Sequence, residues 1–226
     1  MEMFLKSISA SPLFVVDASI PLAEYIAINI NSSNKDLESF DIASSKAWED
    51  YLSYYLKGKN KKIAYGGYLE VRDIYKRSSY FNATEDERNI HLGMDFWVDA
   101  NTPILAVLDG EIHSFQNNKN FGDYGPTIIL KHTINDTEFY SLYGHLSLES
   151  LKNLSEGQKI KKGEVIGYLG TNLVNGDYAP HLHFQIIKDM QGKKGDYPGV
   201  CSKKDLDFYK ENCPDPNLLL KLPNEI

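Results

Sequence analysis

Four of the six histidines and one aspartate fall into three short motifs: His91-Leu-Gly-Met-Asp95, Tyr143-Gly-His145 and His181-Leu-His183. The run HLHFQII, which carries the last of these, reads as a β-strand. Residues i and i+2 of a strand share a face, so both imidazoles project together while Leu182 turns toward a core. Two adjacent imidazoles are costly to bury unless their lone pairs are used, and a metal uses them directly. Taken alone, a His-X-His is also an ordinary pair of surface histidines. His91 and Asp95 add a neutral imidazole and a carboxylate, both standard zinc donors. Four residues apart, they would share one face of a helix. Gly93 and the following Phe96-Trp97-Val98 instead predict extended chain with a bend that brings the two donors together. On spacing alone, a local side-chain contact is an equal reading.

The three motifs are more specific together than apart. Two histidines and one carboxylate form an open ligand set, which leaves a fourth position for water, as in a catalytic rather than a structural zinc site. No thiolate is involved, which argues against a cysteine-rich site or an iron–sulfur cluster. Two histidines are left over, one from the strand pair and His145, to act on water and on a developing oxyanion. His113 and His132 sit in other strand-like runs and are expected to be structural, hydrogen-bonded histidines.

The set HLGMD … YGHL … HLHF, in its order and spacing, resembles that of the lysostaphin-type zinc metallopeptidases, over roughly residues 90–187. The resemblance implies that zinc is held by His91, Asp95 and His183. It implies that His145 and His181 line the active site without ligating. It implies a mainly β fold, an antiparallel β-sandwich or barrel-like core with the site in a groove; the segment GQKIKKGEVIGYLG resembles the hairpin before the HxH strand. The implied reaction is hydrolysis of a peptide bond, in peptides of the peptidoglycan type, by metal-activated water. The alternative within the same fold is a zinc-containing module that binds a peptide or glycan without cutting it. A carrier module like the biotinyl or lipoyl carriers or histidine phosphocarriers is disfavoured, since the hairpin lacks a modifiable Lys in the right context and a phosphocarrier has no need of Asp95. The stretches DYGPTIILKH, YGHLS, APHLHFQII and CPDPNLLL further resemble the lysostaphin-type module of proteins that also carry a phosphotransferase-like domain and a class III aminotransferase. Two departures stand out. Glu85 occupies a position where several family members have an oxyanion-stabilising Tyr, with Tyr80 displaced from it, and Gln185 stands where many have Glu.

These motifs need a scaffold. Short runs at 104–107, 111–115, 127–131, 139–142, 159–160, 164–169 and 181–187, punctuated by turns such as Asp109-Gly110 and Asn135-Asp136, predict antiparallel strands. Residues 43–56 place Trp48, Tyr51, Leu52 and Tyr55 at helical spacing, with a stop expected at Lys57-Gly58-Lys59-Asn60. The expected organisation is an N-terminal extension with at least one helix over 1–80, a peptidase-like unit over 81–190, and a C-terminal loop and tail over 191–226. A net charge of −7 without a large Lys/Arg cluster argues against a nucleic-acid partner. No run is long and apolar enough for a membrane span. A basic start followed by an apolar stretch is missing, so the expected location is cytoplasmic. Cys201 and Cys213 are expected to be free thiols, apart from the metal motifs. Oligomeric state is not legible.

Overall fold

The computed structural model describes residues 1–78, 81 and 87–223; Tyr80 and Glu85 lie outside the described residues. The architecture is mainly β. Short helices α1 (Glu2–Ile8) and α2 (Ser45–Lys59) alternate with β1 (Tyr25–Ala27) and β2 (Ile63–Gly66) in the first third of the chain. There follow β3 (Arg88–His91), β4 (Met94–Trp97), β5 (Pro103–Leu105), β6 (Gly110–Asn118), β7 (Gly125–Ile134) and β8 (Thr137–Gly144). The chain ends with β9 (Lys159–Ile160), β10 (Val165–Tyr168), β11 (His181–Ile187), β12 (Val200–Ser202), α3 (Leu206–Asn212) and α4 (Asn217–Leu220).

Eight strands form one sheet in the order β1-β2-β4-β11-β8-β7-β6-β9, and β10 with β5 and β12 with β3 make two further pairs. Among the described residues, all strand pairs are antiparallel except β1 with β2. The central strand β11 is buried along its whole length, so both of its faces are covered. One face, carrying Leu182, Phe184 and Ile186, joins Met94, Phe96, Ile128, Leu130 and Tyr143 in the main core. The other face, carrying His181, His183 and Gln185, turns toward the polar cluster described below. Strand alternation alone produces this division, because every second residue of β4 and β11 is apolar.

The predicted helix is present, shifted toward the C-terminus. Ser44 caps it through the Ala47 N–H, and it runs through Lys57-Gly58-Lys59 to a left-handed Asn60, so the stop lies at the end of that tetrapeptide. Trp48 and Leu52 pack with Ile28, Ile30, Ala64, Trp97 and Ala179, while Tyr51 and Tyr55 are half-buried at the margin. Residues 25–66 therefore do more than carry a helix. Through β2, paired to β4 as Ala64↔Trp97, Tyr65↔Phe96 and Gly66↔Asp95, they extend the main sheet. The segment after residue 190, expected as loop and tail, contains β12 and α3. Both cysteines are free, buried thiols. No helix among the described residues is long and apolar enough to cross a membrane.

Candidate metal centre

Three neighbouring strands bring the motifs together. In the ladder, His183 of β11 stands opposite Asp95 of β4 on one side and Gly144 of β8 on the other. His181, two residues back on the same face, stands opposite Trp97. His91 arrives from β3 through a sharp bend at Leu92-Gly93, as the glycine and the following apolar run predicted. Gly93 is required there: a Cβ would lie 2.5 Å from His183 Cε1 and 2.8 Å from the Phe184 carbonyl oxygen. Gly144 is similarly closed, since a Cβ would lie 2.7 Å from the Tyr124 ring.

His91, Asp95 and His183 form a group able to hold a metal ion. His91 Nε2 is 2.8 Å from His183 Nδ1, and Asp95 Oδ1 lies 3.3 Å from the first and 3.2 Å from the second. A tetrahedral zinc with bonds of about 2.0–2.1 Å sets its ligand atoms about 3.3 Å apart, so the triangle has the dimensions of one face of such a site. The proton inventory agrees. His91 Nδ1 is 2.9 Å from the Gly67 carbonyl oxygen, which only accepts, so Nδ1 donates and Nε2 keeps its lone pair. Gln185 Nε2 donates to the Pro198 carbonyl oxygen at 3.1 Å and to Cys213 Sγ at 3.2 Å. Its Oε1 therefore faces His183 Nε2 at 2.9 Å and accepts from it, leaving the His183 Nδ1 lone pair free. Two lone pairs and a carboxylate oxygen thus converge with no proton between them. That arrangement is repulsive unless a cation sits among them, and the residues present fit a zinc ion. Acceptors placed behind the rings in this way fix the tautomer and orientation of metal-bound histidines.

Electrostatics keep the donors in their ligating forms. Burial, with the Arg72 guanidinium nearby, pushes His91 down to about 4, so it is neutral at neutral pH. Burial would raise the Asp95 carboxyl, but His91 and Arg72 overcome that and hold it well below the usual carboxylate range. Arg72 Nη1 contacts Asp95 Oδ2 at 2.5 Å.

His145 and His181 sit beside the triangle with ring centroids 4.2 Å apart. Each donates from Nδ1 to a backbone carbonyl at 2.8 Å, His145 to Asn175 and His181 to Ala179, so each presents a bare Nε2. Burial lowers both below the ordinary histidine range, foremost by desolvation. His181 Nε2 is 4.0 Å from Asp95 Oδ1. A cavity of about 250 Å³ opens over these five side chains, with Trp48, Tyr75 and Tyr124 in its wall. The carboxylate, the imidazoles and the vacant space together suit hydrolytic chemistry on a peptide-sized group.

His113 and His132 stand apart. His132 is buried, bridging the Asp109 carbonyl oxygen and Ser141 Oγ at 2.8 and 2.7 Å, and His113 is half-buried against Tyr140, the structural placement expected of both. Sequence reasoning missed Arg72, Gly67 and Cys213. Arg72 and Gly67 lie about 20 residues before the first motif, and only a backbone carbonyl is used at Gly67. Cys213, set aside for its distance from the motifs, reaches the centre through Gln185.

Residues 89–196 match the model of Peptidase family M23. Among curated relatives, the chain is 34% identical over 95 residues to the glycyl-glycine endopeptidase ALE-1 of Staphylococcus capitis, covering 42% of this chain and 24% of that protein. It is 36% identical over 96 residues to the DD-carboxypeptidase/endopeptidase Mpg of Neisseria meningitidis serogroup B, covering 42% and 20%. The chain thus spans about a quarter or less of the length of these relatives. The solved catalytic domain of lysostaphin from Staphylococcus simulans is 28% identical over 54% of this chain and 80% of that one, with a TM-score of 0.37. The likeness to the M23, lysostaphin-type peptidases therefore lies over residues 89–196, just under half of the chain, and that segment holds all three motifs.

Proposed function

We propose that the chain is a zinc-dependent peptidase that hydrolyses a peptide bond, in peptides of the peptidoglycan type. The observation that carries the reading is the convergence of three unprotonated donor atoms, His91 Nε2, Asp95 Oδ1 and His183 Nδ1, at 2.8–3.3 Å from one another. Bound there, zinc supplies Lewis-acid polarisation of a carbonyl and acidifies water. The chain's own residues supply the rest. His145 and His181 are neutral at working pH, anchored through Nδ1, and turn Nε2 toward the cavity, which equips them to take one proton and return it to a leaving amine. The backbone carbonyls of Asn175 and Ala179 hold both rings in the required tautomer. The relatives named as a glycyl-glycine endopeptidase and as a DD-carboxypeptidase/endopeptidase support the substrate class. We also read the likeness to the module of proteins with a phosphotransferase-like domain and a class III aminotransferase as a proposal, resting on the four quoted stretches.

The test is metal analysis of the purified protein, paired with a cleavage screen on oligoglycine and muropeptides with and without chelator. Stoichiometric zinc with chelator-sensitive cleavage supports the reading. Stoichiometric zinc without cleavage of any substrate favours the non-catalytic binding module, and a protein that takes up no metal overturns both.

A further inference from the structure

The two oxygens of Asp95 are divided between different partners. Oδ1 faces the imidazole nitrogens of His91 and His183, while Oδ2 is taken by Arg72 Nη1 at 2.5 Å. Arg72 comes from outside the matched segment, and its placement is a backbone consequence. Residues 69–72 run antiparallel beside β3, with Leu69 N–H donating to His91 O, His91 N–H to Glu70 O and Arg72 N–H to Asn89 O. In extended chain Glu70 and Arg72 share a face. The guanidinium is consequently gripped from behind, its Nε donating to Glu70 Oε2 at 3.0 Å, while Glu70 Oε1 accepts from the Ile30 N–H at 3.1 Å. Trp97 covers its plane at 5.7 Å. Arg72 is 3% exposed, and its Nη2 has no hydrogen-bond partner. A guanidinium buried this deeply with one nitrogen unpaired costs stability. What the arrangement achieves is occupation of one carboxylate oxygen.

We propose that Arg72 is a positioning residue that holds Asp95 to a single donor oxygen, so that the chain offers a metal three atoms and not four. The inference rests on the metal reading above. A carboxylate free at both oxygens can chelate through both, filling a coordination position that an open site keeps vacant. A fixed, charge-assisted contact at Oδ2 prevents that.

The test is coordination number rather than affinity. Removing a neighbouring positive charge favours a dication while freeing Asp95 disfavours it, so affinity has no single expected sign, whereas coordination number has one. The protein is loaded with zinc for X-ray absorption and with cobalt(II) for visible spectroscopy. In the unaltered chain one Asp95 oxygen is expected on the metal. In Arg72→Met the metal gains one oxygen ligand and the cobalt absorption falls as the site leaves four-coordination. Arg72→Lys, which restores a cation to Oδ2, returns the spectrum toward that of the unaltered chain. A purely structural Arg72 would lower the melting temperature in Arg72→Met and leave the loaded spectrum unchanged, and that result overturns the proposal. So does a two-oxygen Asp95 in the unaltered chain, a measurement that stands even if Arg72→Met fails to fold. A chain that binds no metal at all sinks the metal reading with it; full metal with an unchanged Arg72→Met spectrum sinks this inference alone.

Discussion

Gly93→Ala offers a sharp test of the packing behind the metal centre. Gly93 is absent from the residues with positive φ, so alanine meets no backbone penalty and the effect is one of contact. The new Cβ would lie 2.5 Å from His183 Cε1, 2.7 Å from its Nε2 and 2.8 Å from the Phe184 carbonyl oxygen. Ordinary contacts of a Cβ begin near 3.4 Å, so His183 must retreat by about 1 Å. It cannot do so freely, because Gln185 holds its Nε2 and the Phe184 carbonyl belongs to the β11 backbone. Overpacking of this kind costs about 1–3 kcal/mol. For a chain of this size that is a fall in melting temperature of roughly 2–12 °C. A metal site tolerates displacements of only about 0.2 Å, so zinc uptake should be lost as well. Gly58→Ala is the control, since Gly58 lies in α2 with nothing within 4 Å of the added atom. There the same substitution should stabilise by about 0.5–1 kcal/mol. Calorimetry with zinc titration of both variants reads the contrast. If Gly93→Ala melts and binds zinc like Gly58→Ala, the close approach of β4's lead-in to His183 is wrong.

Three further outcomes are expected. His145→Ala or His181→Ala should lower hydrolysis by roughly 10²–10⁴-fold with zinc retained, while His183→Ala should lose the metal, as plasma emission analysis would report. Chelation from a free-zinc level of about 100 times the dissociation constant removes roughly 2.7 kcal/mol of stability, a fall of about 5–11 °C by differential scanning calorimetry. Buried His132 is pushed down to about 4 by desolvation, so the native state holds fewer protons than the unfolded chain between that value and its ordinary 6.5. Stability of the metal-free protein should therefore fall as pH drops through that window, by about 3 kcal/mol from this residue, and denaturant titrations of His132→Gln should show a shallower slope.

The candidate site was legible where its pattern is local. A period of two puts His181 and His183 on one face, and Leu182 is indeed in the main core. Gly93 announced the bend between His91 and Asp95. The register that sets Asp95 directly opposite His183 was not legible, since it depends on pairing across 88 residues of chain. Strands β1 and β2 were missed for a different reason. They are three and four residues long, and their place in the sheet comes from pairing, β2 with β4 and β1 with β2, rather than from any periodicity of their own. Strand β12 and helix α3 were hidden in a polar, Gly-rich stretch whose buried Val200, Cys201 and Asn212 are too few to show a pattern. Arg72 was invisible because a single arginine in a charged stretch looks solvated until the fold buries it.

The pairing of β2 onto β4 has a practical consequence. A polypeptide trimmed to the 89–196 segment would retain every histidine and aspartate of the three motifs, yet would strip β4 of its outer neighbour. The strand bearing Asp95 would then become a naked sheet border, with unsatisfied amides and carbonyls inviting a second molecule to zip alongside. Such a minimal fragment should self-associate more readily than the full chain, which size-exclusion chromatography of the two would read.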